Sequence, residues 1–102
     1  MNLQTIVSVP KGIMARRVGD EVVVLDLERG EYFGLPAVGA RIWELLSDEK
    51  SLGQVVEAIV IEYNVDRDTA ELDLIRLAED LVVRGLLIST PPSAGPAASL
   101  VL

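Results

Sequence analysis

The spacing of hydrophobic positions along the chain changes once, near Pro36. Before it, β-branched and aromatic residues gather in short runs between turn residues, which is the pattern of strands. Glu21-Val22-Val23-Val24-Leu25-Asp26-Leu27 is bounded by Gly19-Asp20 on one side and Glu28-Arg29-Gly30 on the other. Upstream, Ile13-Met14-Ala15-Arg16-Arg17-Val18 can fold back on it through the Gly19-Asp20 turn. Downstream, Glu31-Tyr32-Phe33-Gly34-Leu35 returns through a turn that Gly30 can close with a positive φ. The expected product is a three-stranded antiparallel meander within residues 13–35, with its last strand at an edge.

After Pro36 the spacing becomes helical. Pro36 suits the first turn of a helix, where its missing N–H costs nothing. Val38, Ile42, Leu45 and Leu46 follow at helical spacing with Trp43 alongside, and Ser47-Asp48 ends the segment. Ser51 is a plausible N-cap for a second helix marked by Val55, Val56, Ile59 and Val60, which Asn64-Val65-Asp66 breaks. A third helix starts near Asp66 or Asp68 and stops at Gly85, a natural C-cap. On a helical wheel Leu72, Leu74, Ile75, Leu77, Ala78, Leu81, Val82 and Leu86 form one broad apolar arc, wider than the stripe of a simple surface helix. Leu86-Leu87-Ile88 reads as a short terminal strand or packed extension. The expected organisation is one α+β domain of winged helix-turn-helix type over residues 1–90, a three-stranded antiparallel sheet followed by three helices, with a flexible tail over 91–102.

Composition narrows the chemistry. The chain has 102 residues, half of them hydrophobic, with 4% aromatics, so aliphatic residues must fill the core. It contains no cysteine and no histidine. Disulfides, thiolate nucleophiles and Ser-His-Asp arrangements are therefore excluded, and the commonest metal ligand is missing. No Gly-rich phosphate loop and no paired-carboxylate constellation stands out. No catalytic residue, cofactor or metal site is expected. The N-terminus lacks the pattern of a signal peptide, and no apolar run approaches the roughly 20 residues that span a bilayer. A soluble, cytoplasmic protein is expected, without membrane contact.

Winged helices often bind DNA, and charge tests that reading. The net charge is −7. The third helix carries Asp66, Asp68, Glu71, Asp73, Glu79 and Asp80 against Arg67, Arg76 and Arg84, a balance that repels phosphate. The Arg16-Arg17 pair is too small a patch to compensate, so nucleic acid is not an expected partner.

Two features remain as candidate function. If Glu31–Leu35 is an edge strand, its outward N–H and C=O groups can accept another chain, and Gly34 presents no side chain to block the approach. The alternative is an ordinary edge, shielded by Glu31 or covered by the N-terminal segment. The third helix is the second feature: a border of its apolar arc around Asp73, Arg76, Leu77 and Asp80 would wall a groove beside that strand. The alternative is an arc simply buried by the other helices. Trp43 is most simply a core residue.

The run from Val24 to Leu46, with Glu31-Tyr32-Phe33-Gly34-Leu35 entering Val38-Gly39-Ala40-Arg41-Ile42-Trp43, resembles the PqqD-like family of peptide-recognition domains, the RiPP recognition elements. Asp73-Leu74, Leu77-Ala78, Leu81 and Gly85-Leu86-Leu87 resemble its usual ending. The resemblance covers about residues 12–89 and looks most similar to the stand-alone leader-binding proteins of lasso-peptide biosynthesis. Position 36 is Pro where relatives frequently carry Asn, a change either residue accommodates at a helix start.

The resemblance implies a non-catalytic adaptor. The leader segment of a ribosomally made precursor would add as an antiparallel strand on the third strand of the meander. Contacts would fall along Glu31, Tyr32, Phe33, Gly34 and Leu35, with Asp73, Arg76, Leu77 and Asp80 from the third helix. A partner enzyme would then act, a cysteine leader protease in lasso systems and a radical-SAM or other tailoring enzyme elsewhere. The alternative is a winged-helix interaction or regulatory module unrelated to peptide maturation.

Overall fold

The computed structural model describes residues 1–90, so the tail expected over 91–102 lies outside the described residues. In chain order the elements are β1 (Ile6–Ser8), β2 (Ile13–Val18), β3 (Glu21–Asp26), β4 (Glu31–Leu35), α1 (Ala37–Ser47), α2 (Leu52–Tyr63), α3 (Arg67–Val83) and β5 (Ile88–Thr90). The expected three-stranded antiparallel sheet followed by three helices is present, in the order β2-β3-β4.

Turn chemistry places the three strands. Gly19 and Gly30 both adopt positive φ at the two hairpin turns, +62° and +69°, the conformation that costs glycine least. β3 ends one residue before the expected Leu27 because Asp26 turns the chain. Its buried carboxylate accepts hydrogen bonds from the backbone N–H groups of Glu28 and Arg29, both at 3.1 Å, and the Gly30 N–H donates to its carbonyl at 2.9 Å. Val22 and Val24 on β3 then face the helices and are buried. Their partners in register on β4 are Leu35 and Phe33, which therefore share the inner face. Tyr32 and Gly34 pair with Leu25 and Val23 on the outer face.

Each helix carries a recognisable stop or start. Pro36 sits at the N-cap of α1 in an extended conformation, one position before the first turn. Ser51 and Gln54 close a reciprocal capping box at the start of α2, and Asn64 ends it in the left-handed conformation. Asp66 caps α3 by accepting from the Thr69 N–H at 3.0 Å. At the other end, Gly85 N–H donates to the Val82 carbonyl and Leu86 N–H to the Leu81 carbonyl, with Gly85 at φ +80°. These two bonds form a Schellman stop.

The core lies between the inner face of the sheet and the helices. Val24, Leu46, Leu52, Val55, Val56, Leu74, Ala78 and Leu86 have essentially no exposed surface, and Trp43 is buried among the same set, as its spacing implied. The apolar arc of α3 is narrower than the wheel suggests. α3 packs on α2, and Leu72 on the far side remains half exposed. None of the helices among the described residues is long and apolar enough to cross a membrane.

One pairing was not expected. β1 runs antiparallel to β5, with Ile6 opposite Thr90 and Ser8 opposite Ile88, so the terminal strand falls at Ile88–Thr90. The N-terminal segment also satisfies the first turn of α2: Leu52 N–H donates to the Thr5 carbonyl at 2.9 Å and Gly53 N–H to the Leu3 carbonyl at 2.8 Å. A β-carbon at Gly53 would stand 3.1 Å from that Leu3 oxygen, so a larger residue would push the N-terminal segment outward by a few tenths of an ångström. Val7, carried by β1, is fully buried. The N-terminus is therefore tied to α2 and β5, away from β4.

The candidate peptide-binding edge

β4 has β3 on one side only. Among the described residues no other backbone pairs along its outer edge. Every second residue of an edge strand turns its N–H and C=O outward, so this margin holds open hydrogen-bonding positions. The cover that the N-terminal segment could have supplied goes to β5 instead. Glu31 is exposed at the start of the strand. Tyr32 is 73% exposed on the outer face, and Gly34 beside it carries no side chain, with the Glu21 carboxylate 3.7 Å from where a β-carbon would stand. Phe33 is partly buried and packs against the core, and Leu35 is buried. The strand is thus anchored by its inward side chains while its edge stays open.

The C-terminal end of α3 reaches β4, while its N-terminal end meets α1 and α2. At its C-terminal end, the Arg84 guanidinium lies 5.4 Å from the centre of the Phe33 ring, within the range of a cation–π contact. Arg84 is also held by Asp80 at 2.9 Å, and its carbonyl accepts from Arg29 of the β3–β4 turn at 3.4 Å. At its N-terminal end, Thr69, Ala70 and Asp73 border a hollow of about 310 Å³ with Val38 and Ile42 of α1, Ile59 of α2 and Val65. β4 itself does not line this hollow; Val38, three residues beyond Leu35, is the lining residue that follows it in the chain.

The expected α3 residues do not all share one setting. Asp73, Leu77 and Asp80, with Arg84, recur at the spacing of a single helix face. Asp73 is exposed at the mouth of the hollow. Leu77 is half-buried and packs against the core. Asp80 is exposed but engaged by Arg84. Arg76 is exposed, with no ion-pair partner among the described residues. Sequence reasoning missed Arg84, Val38, Thr69 and Ala70. Val38 offered one signal, an apolar residue in the first turn of α1 that is still 39% exposed in the fold.

The ionisable groups of the region are solvent-screened. Asp66 at the start of α3 is held below the usual carboxylate range by hydrogen bonds from the Thr69 backbone and hydroxyl. Glu62 on α2 is lowered by its paired hydrogen bonds from Arg41 of α1, at 2.8 and 3.0 Å, and Arg41 is raised in turn. The Arg41–Glu62 pair fastens α1 to α2, and the Asp66 bonds cap α3.

Comparison with known proteins agrees with this geometry. The family model described as coenzyme PQQ synthesis protein D (PqqD) matches residues 21–87, from β3 to the stop of α3. No curated protein matches. Among solved structures, TbiB1 in complex with the TbiA(β) leader peptide is 44% identical, with a TM-score of 0.75 over 78% of this chain and 93% of that one. A lasso peptide synthetase B1 complexed with the leader peptide is 29% identical, with a TM-score of 0.73 over 83% of this chain and 98% of that one. With its sheet, its three helices and most of its length accounted for in this way, the chain belongs to the PqqD family.

Proposed function

We propose that this protein is a non-catalytic adaptor of the cytoplasm that binds the leader segment of a ribosomally made precursor peptide and hands it to a modifying enzyme. The observation that carries the reading is the open outer edge of β4, with the end of α3 held against the strand through Arg84 and Phe33. The leader lies antiparallel to β4 as a fourth strand, hydrogen-bonded through the outward backbone groups of Glu31–Leu35. Main-chain pairing supplies affinity with little demand on sequence, and side-chain pockets supply selectivity. The hollow beside Asp73 suits one apolar anchor from the leader, and Asp73, Arg76, Leu77 and Asp80 form the wall that its side chains meet.

Both solved relatives were captured with leader peptides, which favours this role over a regulatory module unrelated to peptide maturation. The acidic surface of α3 speaks against a nucleic-acid ligand. The enzyme that receives the leader is a cysteine protease if the product is a lasso peptide, and a radical-SAM or other tailoring enzyme otherwise.

A free leader is an extended, unstructured chain and loses conformational entropy on docking, so affinity depends on the anchor as well as on strand pairing. Titration calorimetry of the purified protein with the cognate precursor, followed by mass spectrometry of the recovered peptide, tests both halves. Saturable binding with an unchanged peptide mass is expected. Cleavage or modification by the protein alone would overturn the adaptor role.

A further inference from the structure

The sheet has a second open edge. β2 lies at the opposite margin from β4, and among the described residues no other backbone pairs along its outer side. From Met14 to Val18 every residue is exposed. This edge carries a charge opposite to that of the molecule: Lys11, Arg16 and Arg17 fall within seven residues that include no carboxylate, in a chain of net charge −7. Arg17 turns to the helix side and pairs with Glu44 of α1 at 2.6 Å. Arg16 and Lys11 have no carboxylate in ion-pair range among the described residues.

The two faces beside this edge differ. On the helix side, a shallow hollow of about 350 Å³ lies between β2 and α1, lined by Ala15, Val22, Trp43 and Ser47 with Arg16, Arg17 and Glu44 also bordering it. On the outer side, Met14, Arg16 and Val18 stand in register with Leu25, Val23 and Glu21. A strand added to β2 would place alternate side chains in these two environments. One set would lie over Ala15 and the Trp43 hollow, and the other beside Arg16 at the separation of a cross-strand pair.

We propose that the β2 edge is a second docking strand, which takes an extended segment of a partner protein alternating apolar with acidic residues. A second copy of this chain fits poorly: full antiparallel overlap of β2 with its own copy sets Arg16 opposite Ala15 and Arg17 opposite Met14, so it brings Arg16 no carboxylate and leaves it diagonal to the copy's Arg17. Residues 91–102 do not fit either, since they contain no acidic residue. The β2 and β4 edges are separated by two strand spacings, about 10 Å, and face opposite ways. A guest on β2 therefore leaves β4 free. The surface lies outside the leader reading and stands or falls apart from it.

The test is NMR titration of the uniformly 15N-labelled full chain with two capped hexapeptides, one alternating Glu with Val and one alternating Lys with Val. The Glu–Val peptide is expected to move the amides of Met14–Val18 and the Trp43 indole while leaving Glu31–Leu35 in place. Arg16→Gln should cost at least about threefold in its affinity and Arg16→Glu more. Binding should vanish at 1 M salt, where screening acts within about 3 Å. An unchanged spectrum of each free variant establishes that it is folded. The Lys–Val peptide should not bind. Absence of Glu–Val binding at millimolar concentration, equal binding of the two peptides, or shifts at β4 that match those at β2 would each overturn the proposal.

Discussion

Arg84 holds its guanidinium 5.4 Å from the centre of the Phe33 ring, and so joins the last turn of α3 to the middle of β4. The contact ties α3 to the candidate edge, and Asp80 fixes the arginine from one turn earlier at 2.9 Å. Replacing Arg84 with Gln removes the charge over the ring. The expected loss is about 0.5–1 kcal/mol of stability, the worth of an exposed cation–π contact. Denaturant midpoints of the two proteins check it, and leader affinity should fall in the same variant because β4 loses its tie to α3.

Proline separates the two margins of β4. Successive residues of a strand turn their N–H groups to opposite sides, so of Phe33→Pro and Gly34→Pro one deletes an outward donor and the other a donor to β3. The outward-donor variant should lose leader binding and keep its strand signal in circular dichroism, with a lower melting temperature if it is Phe33→Pro, whose ring packs on the core. The other should lose the sheet, because proline removes a ladder bond inside it. Paired titration and dichroism on both variants distinguish these outcomes.

The hollow beside α1 should matter more than the exposed charges. Asp73→Lys and Arg76→Glu are each expected to weaken leader binding about two- to fivefold, the yield of a solvent-screened charge contact. Val38→Asp places a carboxylate in the wall of the hollow. If an apolar anchor fills that space, the loss should exceed tenfold, since burying one aliphatic side chain is worth about 1.5–3 kcal/mol. Calorimetry on the three variants ranks them.

Acid should loosen α3 and the α1–α2 contact. Asp66 and Glu62 both have folded pKa values below their ordinary ones, from the Thr69 and Arg41 hydrogen bonds respectively. A depressed carboxylate adds stability that is complete above its unfolded pKa and disappears as pH falls through the folded value. Stability should therefore be flat near neutral pH and decline below the ordinary carboxylate range. Thermal melts of Asp66→Asn and Glu62→Gln against pH should show a shallower decline than the parent.

Much of this architecture is local, and that part was legible in the sequence. Gly19 and Gly30 mark the two hairpins because each must take positive φ. Ser51, Asp66 and Gly85 mark helix ends because their own hydrogen bonds, or their freedom in φ, close the exposed backbone. The missed features are those made by distant partners. The strand Ile6–Ser8 has three residues and no alternation long enough to read, and its partner β5 lies at the other end of the described chain. Leu72 belongs to the apolar arc on a wheel, yet which part of the arc is covered depends on where α2 sits.

The candidate site divides along the same line. Glu31–Leu35 could be read as an edge from its place at the end of the meander. Whether that edge was covered depended on the path of the N-terminus, which only the β1–β5 pairing reveals. Arg84 over Phe33 and the hollow of Val38, Ala70 and Asp73 each need elements far apart in sequence to meet. The assignment of a leader as guest came from resemblance, since an open strand edge does not name its occupant.

Amide hydrogen exchange at β4, residue by residue, with and without the cognate leader, reaches the core of this account. The guest strand should slow exchange at alternate amides among Glu31–Leu35, those whose N–H groups point away from β3, with cross-strand contacts from the leader to the same residues. Leader binding that leaves every one of these amides exchanging as before would contradict it.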